Sequence, residues 1–209
     1  MSETDHVVSL DDVRVHFEPE SGLFARDDDV VKAVDGISLD IGENDVVALV
    51  GESGCGKSTL GKTAIGTQRP TEGSVSYRGQ DIWEARDGDS DAEIPYETIR
   101  RSLQIIHQDP GASLNPNKTV LHSLMVPLKL PEPDLNTFDR RDRVHEMLSR
   151  VGMEPPKDYA NRYPHQLSGG ERQRVALIRA LLMNPDLIFA DEAVSALDVS
   201  LRIDMMDLM

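Results

Sequence analysis

Residues 51–59 read GESGCGKST and follow directly on the apolar run VVALV at 46–50. The pattern is G-x-x-x-x-G-K-[ST], placed where it has physical sense, between an apolar strand and a helix. The run itself is expected to be a strand buried on both faces. Glycines at 51, 54 and 56 let backbone N–H groups turn inward around phosphate oxygens, and the helix that follows adds its positive end. The whole stretch, Gly51, Glu52, Ser53, Gly54, Cys55, Gly56, Lys57, Ser58 and Thr59, is therefore a candidate nucleotide-phosphate loop. Lys57 would reach the β and γ phosphates, and Ser58 would ligate Mg²⁺. The plainer alternative is a glycine-rich strand-to-helix turn with no ligand. Cys55 has no partnered base in the loop and reads as a small filler rather than a nucleophile.

A second stretch, LIFADE at 187–192, predicts a buried strand ending in two carboxylates. In phosphate-loop enzymes a strand end of this kind brings a carboxylate to the metal, which makes Asp191 the metal-side residue. Glu192, one position on, points differently and is placed to polarise an attacking water. A solvent-facing charged strand end would account for one carboxylate alone, but less well for two.

The third stretch is LSGGERQR at 167–174. Ser168 followed three residues later by Glu171 is a capping-box pattern, so a well-capped helix start explains part of it. Capping does not call for Gly169 and Gly170, which weaken a helix. They let something approach the backbone closely at a positive helix terminus. Since the chain already carries one phosphate loop, a second such terminus suggests service to a different nucleotide.

The remaining organisation is α/β with a helical insert. Ile37, Leu39 and Ile41 alternate as on a strand, with a turn at 42–45; GSVSYRG at 73–79 reads as a short edge strand and LQII at 103–106 as a buried one. The polar stretch EARDGDSDAEIPYE is expected to be a surface insertion. Val144, Met147, Leu148 and Val151 recur at helical spacing with Gly152 as the stop, and 171–183 predicts a helix ended by Asn-Pro. The 37 acids against 22 bases give a formal charge of −15, the wrong sign for a nucleic-acid binder. Such a surface suits either molar salt or an ordinary acidic protein. A single cysteine excludes an internal disulfide, the acidic start is unlike a secretory signal, and no run approaches the ~20 apolar residues of a membrane span.

Together, in this order and spacing, the phosphate loop, LSGGERQR and LIFADE resemble an ATP-binding cassette (ABC) ATPase, over essentially the whole chain. The resemblance implies a P-loop NTPase (RecA-like) core with an antiparallel β subdomain and an inserted helical subdomain, with the C-terminal strands missing. On that reading residues 1–108 and 168–209 form the nucleotide-binding core and 109–167 the helical subdomain. Ligands would be ATP and Mg²⁺. Ser168, Gly169 and Gly170 would close on ATP held by a second subunit. Gln108 fits the glutamine that contacts Mg²⁺ and water, and Asp198 in SALD fits the loop that communicates between subunits. Phe17 is placed like the aromatic that stacks on adenine, although a lone aromatic could equally be core.

HQDPGASLNP at 107–116 and the long segment 18–30 resemble the dipeptide and oligopeptide importer branch. That branch implies two transmembrane permease subunits, a second ATPase subunit, an external solute-binding protein, and a place on the cytoplasmic face of the cell membrane. Two departures stand out. Ala193 and Val194 replace the usual proline-containing pair, and all six histidines precede LIFADE, so the family's switch histidine has no counterpart. The expectation is an ATPase powering peptide import; the alternative is a truncated cassette that binds ATP or partner subunits with little turnover. A guanine reader is disfavoured, because NKTV at 117–120 lacks the aspartate it needs.

Overall fold

A computed structural model of the chain describes residues 6–18, 30–88, 92–107, 114–131 and 133–191. Two compact units divide at residues 103 and 104.

The first unit is built on an antiparallel sheet of order β2-β1-β3-β4. Strand β1 (His6–Phe17) pairs with β2 (Val31–Gly42) on one edge and with β3 (Glu72–Tyr77) on the other. Val8, Val13 and Val15 of β1 and Val75 of β3 are fully buried and form the apolar face of the sheet. The turn expected after β2 is present, with Gly42 N donating to Asp45 Oδ2 at 2.7 Å. Helix α1 (Lys57–Ala64) follows the phosphate loop.

Two expectations in this unit are corrected. The apolar run at 46–50 is not a strand: Val46 and Val50 are 82% and 92% exposed, and no ladder pairs with the run among the described residues. Apolar composition makes a run suitable for a buried strand but does not supply the neighbouring strands that bury it. Second, β3 is interior rather than at the edge, because β4 (Gln80–Asp81) folds back against it. The two linking residues, Arg78 at φ 48° and Gly79 at φ 84°, both take the left-handed conformation that a tight primed hairpin turn needs. Arginine is an unusual occupant there, which hides the hairpin from the sequence. The polar stretch EARDGDSDAEIPYE lies at the surface as expected, with Ala85 its one buried position among the described residues, and it holds the end of α2 (Ile82–Asp87) and the start of α3 (Tyr96–Ser102). Asp81 Oδ1 caps α2 by accepting from Trp83 N at 2.7 Å and Glu84 N at 3.0 Å, and Ile82, Trp83 and Ile99 are buried.

The second unit is largely helical around a two-stranded sheet of β5 (Leu103–Ile106) and β6 (Leu187–Ala190). Helices α4 (Val120–Met125), α5 (Thr137–Arg150), α6 (Pro156–Asn161) and α7 (Gly169–Leu181) share one apolar core. The i, i+3, i+4, i+7 stripe is borne out: Val144, Met147, Leu148 and Val151 all lie in that core. Gly152 at φ 73° turns the chain out of α5. Helix α7 begins two residues earlier than expected, on the glycines themselves. Strand β6 is half-buried rather than buried.

Candidate functional site

Gly56, at φ 94°, immediately precedes α1. It has no side chain with which to cap the helix, and the first turn of α1 carries no acid. By contrast Asp81, Thr119, Asn136 and Ser168 cap α2, α4, α5 and α7 with side-chain oxygens. The first turn of α1 therefore holds no carboxylate of its own against the positive helix end. Ahead of it the loop is exposed from Gly51 to Cys55, and Gly54 adopts φ 82° with open space where a side chain would stand. Left-handed glycines at 54 and 56 on either side of Cys55 give the backbone pattern on which an anion nest can be built, and the Cys55 N–H donates within the loop to Glu52 O at 3.3 Å.

Lys57 organises this loop from within. Its ammonium donates to the carbonyls of Gly51 at 3.0 Å and Glu52 at 2.6 Å and lies 3.7 Å from Cys55 Sγ. Cys55 itself packs against Gly51, where an added β-carbon would come within 2.7 Å of the sulfur. That fits the reading of Cys55 as a filler. Ser58 and Thr59 sit half-buried in the first turn of α1.

The loop is tied to the sheet through one irregularity. Val15 pairs with Val34 and His16 with Lys32, so Ala33 is an extra residue on β2, a β-bulge. A β-carbon at Gly56 would lie 2.0 Å from the Ala33 carbonyl oxygen. Only glycine permits this contact, which seats the phosphate loop against β2 two residues from Val31. Val31 in turn pairs with Phe17. Phe17 ends the row Val13, Val15, Phe17; the two valines are buried while Phe17 is 42% exposed. An aromatic at the rim of the same unit as the phosphate loop is what the stacking reading needs, and the core alternative is not supported at that exposure. The bulge at Ala33 had no signal in the sequence, since alanine marks nothing about strand register.

In the second unit the capping box at the start of α7 is complete. Ser168 N donates to Glu171 Oε2 at 2.6 Å, and Glu171 N donates to Ser168 Oγ at 3.3 Å. These hydrogen bonds, the backbone one first, hold the Glu171 carboxyl below its ordinary range. Gly169 and Gly170 are exposed, with nothing within 4 Å of an added β-carbon. The approach is braced on both sides: Tyr163 N donates to Gln166 Oε1 at 2.8 Å, and Arg172 Nη1 donates to Leu167 O at 2.6 Å. Nothing in the sequence marks Gln166 or Arg172 for this bracing role, which depends on how the turn at 163–167 folds back. His165 stacks on Tyr163, in keeping with an ordinary structural histidine.

Asp191 directly follows β6, and its N–H donates to Ile106 O at 3.0 Å, which continues the β5–β6 edge. Gln108, Glu192 and Asp198 lie outside the described residues, as does most of the segment 18–30. Among the described residues no three His, Cys, Asp or Glu side chains converge as a metal cluster, and no helix is long and apolar enough to cross a membrane.

Residues 34–195 match the ABC transporter family. The chain belongs to that family. It is 45% identical over 206 residues to the oligopeptide transport ATP-binding protein AppF of Bacillus subtilis, covering 97% of this chain and 59% of the relative. It is 41% identical to the dipeptide transport ATP-binding protein DppF of Escherichia coli, covering 95% of this chain and 56% of the relative. The chain thus spans less than two thirds of the length of these ABC relatives. Among solved structures, the dimeric post-hydrolysis state of the cassette MJ0796 bound to ADP and Pi is similar, with a TM-score of 0.77 and 32% identity. That similarity covers 96% of this chain and 80% of the neighbour. The α/β fold with an antiparallel sheet and a helical portion is that of an ABC cassette.

Proposed function

We propose that the chain is the ATP-binding and ATP-hydrolysing subunit of an ABC importer for oligopeptides or dipeptides. The observation that carries the ATP reading is the seat of the phosphate loop: Gly56 against the Ala33 bulge, two residues from the strand pair that holds Phe17. The relatives named for oligopeptide and dipeptide transport support the cargo class. In this proposal Phe17 stacks on adenine, the amides of 51–59 and Lys57 bind the phosphates, and Ser168, Gly169 and Gly170 serve the ATP of a second ATPase subunit. Glu192 orients and polarises the attacking water, and Asp198 carries contact between subunits.

Ser58, Gln108 and Asp191 are the residues assigned to Mg²⁺. A hydroxyl, an amide and a carboxylate form an all-oxygen donor set, which suits a hard divalent cation. Bound Mg²⁺ supplies charge neutralisation on the phosphate oxygens. The proposed division is into a core, 1–108 and 168–209, and a helical subdomain, 109–167; α4 to α6 fall within 109–167, and α7 of the 168–209 segment shares their apolar core. Two permease subunits, an external solute-binding protein and a peripheral position on the cytoplasmic face complete the proposal.

Hydrolysis over a protein-concentration series tests it. Turnover should rise with the square of concentration while few subunits are paired, because each site is completed by its neighbour. Glu192→Gln should keep ATP binding and slow turnover by about 10²–10⁴-fold. Full-rate turnover by Glu192→Gln, or turnover linear in protein from the lowest concentration, contradicts the assignment.

A further inference from the structure

The ladder between β1 and β3 ends at Arg14 and Glu72, three residues before β1 does. His16 and Phe17 therefore leave β3 behind, and on that edge the sheet pairing is replaced by one side chain. Thr71 N donates to Arg14 O at 2.7 Å. His16 N donates to Thr71 Oγ1 at 2.9 Å, and the same hydroxyl donates to His16 O at 3.4 Å. One threonine thus satisfies both backbone groups of the residue next to Phe17, in place of two ladder bonds. On the opposite edge Phe17 faces Val31 just past the Ala33 bulge, where the ladder is already irregular. The His16 ring, on the other face of the strand, reaches Asp35 Oδ1 at 3.4 Å.

We propose that Thr71 is a positioning residue for the nucleotide base: its hydroxyl holds the end of β1 so that the exposed ring of Phe17 is presented at a fixed angle to adenine. This rests on the reading of Phe17 as the adenine stacker. The physical reason is that a strand end with partners on one edge only frays, and a frayed Phe17 must be ordered each time ATP binds. Thr71 lies outside the phosphate loop, so its effect falls on the base and not on the phosphates.

The test compares Mg-ATP with Mg-tripolyphosphate, a ligand with the phosphate tail and no base, titrated into the full chain and into Phe17→Ala, Thr71→Val and Thr71→Ser. Loss of base stacking at Phe17→Ala should weaken ATP by roughly 5- to 150-fold. Thr71→Val should weaken ATP at least about threefold, a fraction of the stacking loss, and leave tripolyphosphate within about twofold of wild type. Thr71→Ser, which keeps the hydroxyl, should restore ATP affinity. Equal weakening of both ligands by Thr71→Val, or no rescue by serine, overturns the inference as a merely structural effect. Weakening by Phe17→Ala with none by Thr71→Val overturns the role of Thr71 and leaves Phe17 standing. No effect of Phe17→Ala on ATP overturns the stacking reading and this inference with it. Should Thr71→Val not fold, Thr71→Ala takes its place under the same outcomes, since it removes the hydroxyl without adding bulk.

Discussion

Gly56 and the Ala33 carbonyl meet so closely that a β-carbon on Gly56 would stand 2.0 Å from the oxygen. This backbone contact sets how closely the phosphate loop approaches the sheet.

Gly56→Ala should therefore be costly in two ways, through the left-handed φ of 94° and through displacement of Ala33. The expected loss is about 1–3 kcal/mol, or roughly 2–12 °C in Tm for a chain of this size, together with loss of ATP binding. Gly54→Ala meets open space and should show the smaller, strain-only cost. Paired thermal melts with and without ATP check both; equal effects at the two glycines contradict the close-contact account.

The capping box predicts a pH dependence with a definite sign. The Glu171 carboxyl is held below its ordinary range chiefly by hydrogen bonds from Ser168. Its contribution is fully present above the ordinary glutamate value of about 4.3 and is lost as pH falls through the lower folded value. Glu171→Gln should flatten stability against pH in that acid window. Ser168→Ala should cost about 1 kcal/mol, measured by denaturant melts at neutral pH.

Arg14 sits among Asp12 at 2.9 Å, Glu72 at 2.9 Å and Asp35 at 3.6 Å. Arg14→Leu leaves three carboxylates facing one another across β1, β2 and β3. The variant should melt below wild type at low KCl, and the difference should shrink as salt rises, because screening relieves the repulsion. A salt-independent difference would mean that packing, not charge, is what Arg14 contributes.

In the helical core, Leu148 is fully buried among α4, α5 and α7. Leu148→Ala should destabilise by about 2–5 kcal/mol, read by denaturant unfolding. A loss below about 1 kcal/mol would mean that the core re-closes around the gap.

The helical elements were legible because their signals are local. The stripe from Val144 to Val151, the stop at Gly152 and the Ser168–Glu171 box each need only a few residues of context. Sheet features were harder to read for the opposite reason. The place of β3 depends on a hairpin turned by Arg78, and the seat of the phosphate loop depends on a register shift at Ala33. Both are set by pairing across the chain. The apolar composition of 46–50 predicts a buried strand, but burial needs neighbouring strands that composition does not supply. The loop residues 51–59 were legible from glycine spacing, but the residues that position them, Ala33 and, for Phe17, Thr71, carry no such mark.

The most direct test of the account is the thermal shift produced by Mg-ATP in the wild-type chain and in Lys57→Ala. ATP at ~100-fold its Kd should stabilise the wild type by about 2.7 kcal/mol, or roughly 5–11 °C, and Lys57→Ala should lose that shift. No shift in the wild type, or an equal shift in Lys57→Ala, would contradict the assignment of residues 51–59 as the phosphate site.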